Sequence, residues 1–225
     1  MNRLESKMIS YQNREIPETL DEILKPSHSA LIIHELLHDF VSPDGVFDKT
    51  GMRIDISKTL PPSVSLLKAA RRNDVKVIYV RFTTLADLSN LNDPMLVKTY
   101  ERNNGLDHVV QPVVEGSWGW ENIPEVAPLP NESIVKKLRV DCFLQTNLDL
   151  ILRSNGIKSF VILGVGAERG IVPTVAHGMN LGYFGVVPED CINATSPSFY
   201  HTAKRFIGRY ATLAASEKII NIWDA

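Results

Sequence analysis

Residues 160–178, FVILGVGAERGIVPTVAHG, set Gly164 and Gly166 directly behind an apolar run of strand length. After Gly170 the apolar residues Ile171, Val172, Val175 and Ala176 recur at helical spacing. This pattern predicts a strand, a turn and a helix. A helix start carries unpaired N–H groups and a partial positive charge, so a turn of this kind can hold an anion or a developing oxyanion. Charged residues follow or end the other apolar runs: Glu35 after 30–33, Arg81 near the end of 75–82, and Lys137 after 133–136. A buried carboxyl group beside an amine can act as a general acid or base, its pKa raised by burial and lowered by the amine; the same two groups also make a structural ion pair. Strand alternation separates Lys137 from Lys136, putting one inside and the other in solvent.

These residues need elements to bring them together. The run 30–33 is too short for a helix and suits a strand covered on both faces. Pro61 and Pro62 open a segment in which Val64, Leu66, Leu67, Ala69 and Ala70 form an inward stripe, a helix with Pro in its first turn that feeds the strand 75–82. Residues 85–111 read as a long excursion with a helical turn or two near 94–101, a length typical of an active-site cover. A strand over 133–136, a helix over 147–154, a strand over 183–187, a helix over 198–207 and a last strand and short helix complete the alternation. That alternation predicts a three-layer α/β/α fold with a central, mostly parallel sheet, Rossmann-like in plan, whose ligand crevice lies at the carboxyl ends of the strands. Residues 1–28 read as an N-terminal arm with a short helix near 18–24, and 29–225 as the domain.

Composition narrows the function. With 225 residues, 44% hydrophobic and 22% charged, the chain can bury one substantial core. A formal charge of -2 and a pI near 6.3 give no reason to expect a polyanionic partner such as nucleic acid. The apolar runs are too short to span a bilayer and the polar start is unlike a signal peptide, which implies a cytoplasmic protein without membrane attachment. Cys142 and Cys191 form no CxxC motif and read as free thiols. His34 and His38 lack a third ligand, so no metal site is expected and hydrogen bonding is their expected role. Arg81 and Arg169 are candidates to hold a substrate carboxylate. Trp118 and Trp120 suit either the cap of a ring-shaped substrate or core and subunit contacts.

Five segments, ALIIHELLHDF at 30–40, IPEVAPLP at 123–130, VKKLRVDCF at 135–143, GVGAERGIVPTVAHG at 164–178 and NLGYFGVVPEDC at 180–191, resemble in order and spacing the isochorismatase-like hydrolases, also called cysteine hydrolases. The resemblance implies a cofactor-free and metal-free hydrolase of a small molecule, assembled as a homodimer or higher homo-oligomer. The family's catalytic Asp, Lys and Cys fall on Glu35, Lys137 and Gly170, so the thiol is absent. A glycine there is similar to the true isochorismatases, which open a vinyl ether without a covalent intermediate, and His34 before the acid resembles the same branch. On this basis Glu35 is the expected general acid or base, Lys137 its neighbour, and the turn through Gly166 and Gly170 the source of backbone N–H groups. A small carboxylated vinyl ether such as isochorismate is the expected substrate. The alternatives are an amidase using water activated by Glu35, a nucleophile relocated to Cys142, and a silent family member that only binds. The family also places a cis peptide at the turn, which would join Val165 and Gly166.

Overall fold

The computed structural model describes residues 8–102 and 111–225; residues 1–7 of the expected arm and 103–110 of the expected excursion lie outside the described residues. In chain order the strands are β1 (Met8–Tyr11), β2 (Arg14–Pro17), β3 (Ser29–His34), β4 (Lys76–Phe82), β5 (Ser133–Lys137), β6 (Ser159–Val165), β7 (Phe184–Pro188), β8 (Ile192–Asn193) and β9 (Thr212–Ala214). The helices are α1 (Leu20–Ile23), α2 (His38–Val41), α3 (Val46–Lys49), α4 (Leu60–Arg72), α5 (Asp93–Arg102), α6 (Leu148–Ser154), α7 (Val172–Asn180), α8 (Pro197–Tyr210) and α9 (Ser216–Trp223).

The main sheet has the order β5-β4-β3-β6-β7-β9, with β8 added beside the end of β6. Every pairing in it is parallel. Strand alternation divides the core in two. Leu31, Ile33, Val77, Tyr79, Val161 and Leu163 pack with Leu66, Leu67 and Ala70 of α4 and with Ile219 and Trp223 of α9. Their neighbours Ala30, Ile32, Ile78, Val80, Phe160 and Ile162 face α6, α7 and α8 through Leu148, Leu152, Val175, Ala203 and Ile207. Each fully buried aliphatic side chain contributes roughly 1.5–3 kcal/mol, so both helical layers are held to the sheet by the same alternating strands.

The elements fall where the sequence pattern puts them, with ends shifted by one or a few residues. The short α2, α3 and β8 have no counterpart in that pattern, and the arm also departs from it. Before α1, whose N-cap Thr19 accepts from the Glu22 N–H, it forms an antiparallel hairpin of β1 and β2. Gln12 and Asn13, both at positive φ, make its two-residue turn, as a hairpin of this type requires. The pattern hides it because β1 and the first half of β2 are exposed on both faces. Among the described residues, no helix is long and apolar enough to cross a membrane.

At the carboxyl ends of β3 and β6, which pair His34 with Gly164, the backbones approach closely. Gly164 has φ +130, and a Cβ there would lie 1.8 Å from the His34 carbonyl oxygen. Neither the dihedral nor the contact can be relieved by moving a side chain. Gly164→Ala is expected to lower stability by about 3 kcal/mol in urea denaturation; unchanged stability would mean that the two strands do not approach this closely.

Candidate active site

A cavity of about 330 Å³ opens at the carboxyl ends of the central strands, bordered by His34, Glu35, Lys137, Gly166, Arg169 and Gly170. β3 ends at His34, and the next residue, Glu35, takes a left-handed conformation with φ +58. Such a backbone is costly for a residue with a side chain and is found chiefly where structure or function over-determines it. It turns Glu35 back toward the end of β4, where Oε1 accepts the Phe82 N–H at 2.8 Å. Phe82 is paired in register with Lys137, and the Lys137 ammonium lies 3.2 Å from the same Oε1. The register of three neighbouring strands therefore assembles the acid and the amine.

Lys137 is only 2% exposed and has three acceptors for its three protons: Glu35, the Val140 carbonyl at 2.7 Å and His34 Nε2 at 2.9 Å. The other ring nitrogen of His34 lies 2.9 Å from the Val165 carbonyl oxygen, which can only accept. Nδ1 therefore carries the proton and Nε2 presents a lone pair to Lys137. Burial, reinforced by the charge of Lys137, holds the His34 pKa well below the usual histidine range, so the ring is neutral. Burial pushes the Glu35 pKa up, and the opposing pull of Lys137 and the Phe82 N–H does not cancel it. Among the described residues no hydrogen-bond donor reaches Glu35 Oε2.

Gly170 occupies the thiol position implied by the resemblance. A Cβ at Gly170 would sit 2.4 Å from His34 Cε1 and from Nε2, and 3.1 Å from Lys137 Nζ. The imidazole thus fills the space into which a nucleophilic side chain would project. Cys142 does not replace that nucleophile: it is fully buried, does not border the cavity, and has its pKa pushed up by burial to about 11. The turn itself is Gly166, left-handed at φ +72, followed by a wide π-helical turn, Ala167–Ile171, that leads into α7. No peptide bond among the described residues is cis, so Val165 and Gly166 depart from the expected cis link.

Two expected substrate contacts lie elsewhere. Arg81 is buried on the other face of β4, where its guanidinium donates to Asn122 Oδ1 and Glu121 Oε2, both at 2.8 Å, and lies 4.5 Å from the centre of the Trp120 ring. It does not border the cavity, because a residue one place before Phe82 points to the opposite side of the sheet. Trp118 is 54% exposed and stacks on His38 at 4.2 Å, outside the cavity; Trp120 is buried with Leu37 and Val113. Glu168 bonds to Thr195 and not to Arg169, which stands exposed at the cavity mouth.

Residues missed by sequence reasoning include His34 as the filler of the Gly170 space, and Asp39. Asp39 Oδ1 and Oδ2 accept the N–H groups of Val46 and Val113, at 3.1 and 2.6 Å, pinning α3 and the end of the excursion beside the site. A buried carboxylate accepting two backbone N–H groups leaves no local sequence signal, because Val113 is 74 positions away.

A strand-end cavity holding a carboxylate, an amine and a glycine-rich turn, in a three-layer parallel α/β fold, defines a class of small-molecule hydrolase. Residues 29–218 match the family described as Isochorismatase domain, and the chain belongs to that family of hydrolases. It is 28% identical over 203 residues to the ureidoacrylate amidohydrolase RutB of Rhizobium rhizogenes, covering 84% of this chain and 82% of that protein. With the enzyme of the same name from Pantoea ananatis the identity is 30% over 190 residues, 79% of this chain and 74% of that one. The crystal structure of a cysteine hydrolase from Pseudomonas syringae pv. phaseolicola superposes with a TM-score of 0.76 at 20% identity, over 90% of this chain and 95% of that chain.

Gly170→Ala is expected to lose about 1–3 kcal/mol through overpacking against the His34 ring. In a His34→Ala background the same change should be nearly neutral. A coupling energy under about 0.5 kcal/mol in this double-mutant cycle would show that the ring does not fill the space.

Proposed function

We propose that this protein hydrolyses a carbon–nitrogen bond in a small carboxylated amide or ureido compound, with water rather than a thiol as nucleophile. The observation carrying this reading is the neutral His34 ring in the space a thiol would need, beside a buried Glu35–Lys137 pair. The likeness to ureidoacrylate amidohydrolases supports the choice of C–N bond.

In this mechanism water enters between the substrate carbonyl carbon and Glu35 Oε2. Its oxygen attacks the carbon as Glu35 takes the proton, and the negative charge passes to the former carbonyl oxygen. Collapse of that adduct breaks the C–N bond, and Glu35 returns the proton to the leaving nitrogen, so acid and amine are released and the carboxylate is restored. Lys137 steadies the carboxylate in the ionised form that begins each cycle. His34 holds the ammonium in place without competing for its charge.

Vinyl-ether hydrolysis is the second reading, and the raised Glu35 pKa favours it, since that reaction needs Glu35 protonated to deliver a proton to the enol carbon. The two readings require opposite protonation states, which gives them opposite pH profiles. For the amidase, kcat/KM should fall as pH drops through the raised Glu35 pKa, above the ordinary carboxyl value of 4.5. For a vinyl-ether hydrolase it should fall as pH rises through the same point.

Ammonia or amine release from small amides and ureido acids, and pyruvate release from enol ethers, would be followed side by side. The expected result is amine release with that acid limb, lowered about 10²–10⁴-fold in a folded Glu35→Gln variant. Pyruvate release with the reverse limb would install the second reading. Failure of a folded wild type to turn over either set would leave a binding protein.

A further inference from the structure

The charged floor of the cavity contrasts with its walls. Phe40, Phe47, Phe82, Leu91, Met95 and Val140 surround it, contributed by α2, α3, the end of β4, the excursion with α5, and the segment after β5. Phe40 and Phe47 meet edge to face at 4.8 Å, so this side is a packed aromatic surface. A short, wholly polar acid would leave these walls facing water or an empty gap, whereas an apolar body would replace that water with contacts. The volume is at the small end for a ligand pocket, enough for one ring or a branched aliphatic group beside the reacting carbon.

Charge at the mouth supplies the other half of the recognition. Glu35 and Lys137 neutralise one another on the floor, and Lys98 at the rim is paired with Glu101 at 2.7 Å. Arg169 borders the cavity, and among the described residues no carboxylate lies within ion-pair distance of it. Its neighbour Glu168 is turned to the N–H and hydroxyl of Thr195, at 3.2 and 2.5 Å. The guanidinium is nevertheless close enough to act on Glu35 electrostatically. A cation without a carboxylate partner among the described residues, at an apolar mouth, favours an anion, and a guanidinium suits a carboxylate through paired N–H donors.

From these two features we infer that the substrate is a carboxylate with an aromatic or branched apolar body, the body lying against Phe40, Phe47 and Met95 and the carboxylate on Arg169. Resting on the hydrolase reading above, this assignment puts the amide or ureido carbon over Glu35. Specificity then comes from the walls and the mouth, while the floor performs the chemistry.

Binding needs no turnover, so it distinguishes ligand selectivity from hydrolysis. Isothermal titration of the full chain would use 3-phenylpropionate, propionate and 3-phenylpropan-1-ol as probes. The acid with the ring is expected to bind at least tenfold more tightly than propionate and than the alcohol. Arg169→Gln should lower its affinity to that of the alcohol while leaving the alcohol unaffected; Arg169 is exposed, so the variant should fold. Met95→Glu should instead erase the advantage of the ring.

Propionate binding as well as 3-phenylpropionate, the alcohol binding as well as the acid, or unchanged affinity in Arg169→Gln would each overturn the assignment. In parallel, N-carbamoylphenylalanine should be hydrolysed with a kcat/KM at least tenfold above that of N-carbamoylglycine. Selective binding without hydrolysis of either would support the ligand class and count against the hydrolytic reading. Equal hydrolysis of both would do the reverse.

Discussion

The close approach of β3 and β6 at their carboxyl ends is the constraint on which the site depends. Gly164 lets the backbone of β6 lie against the His34 carbonyl, and Gly170, one turn later, leaves a hollow that the His34 ring enters. With the ring in that hollow, Nδ1 reaches Val165 on β6 and Nε2 reaches Lys137 on β5, so one imidazole ties together strands that are not adjacent in the sheet. Glu35 comes next in the chain, and its left-handed backbone returns its carboxylate to the same point. Two missing side chains thus decide where two functional ones can go.

The electrostatics follow from that packing. A buried carboxylate and a buried ammonium both lose hydration, and their attraction compensates only when the remaining hydrogen-bonding sites are also satisfied. Lys137 meets this condition with three acceptors of different kinds: an ion, a backbone carbonyl and a neutral ring. A charged imidazole in the same place would have a donor facing a donor, and burial opposes its protonation anyway. Glu35 is less completely satisfied, with one oxygen on the Phe82 N–H and Lys137, and the raised pKa reflects this remaining cost of ionisation. All three groups border the cavity, and among them Glu35 is the one with unused hydrogen-bonding capacity.

Much of this arrangement was legible in the sequence because it follows from period and order. Alternating apolar runs and amphipathic stripes point to the parallel sheet and both helical layers; strand alternation separates Lys136 from Lys137 and the family resemblance selects Lys137, which is buried while Lys136 pairs with Glu115 at the surface. What the sequence could not carry was direction within a turn and contact across distance. Arg81 stands at a strand end as Glu35 does, yet one step of the pleat sends it to Asn122 and Glu121. Trp118 has the composition of a substrate cap but spends its face on His38. His34 looked like an ordinary hydrogen-bonded histidine; its importance lies in the absent side chain of Gly170, 136 positions away, which no local pattern could connect to it. The aromatic walls were hidden for the same reason, since Phe40, Phe47 and Phe82 are unremarkable core residues one by one.

The Gly170–His34 exchange also limits how the site can work. A cysteine at 170 would place its Cβ 2.4 Å from the His34 ring, so the ring would have to move before a side chain could stand there. Returning the thiol would require removal of the ring, and with it one of the three acceptors on Lys137 and the link to Val165. These features are coupled: histidine without the neighbouring glycine does not fit, and the glycine without histidine leaves Lys137 under-satisfied. The side of the cavity beneath the turn is therefore occupied, and in the proposed hydrolysis a reacting carbonyl would be approached from the side of Glu35, whose second oxygen still has capacity for a proton. The proposed attack by water from that side would need no rearrangement of the buried pair, so the packing of the His34 ring into the space beside Gly170 weighs more heavily on that mechanism than the absence of a thiol alone.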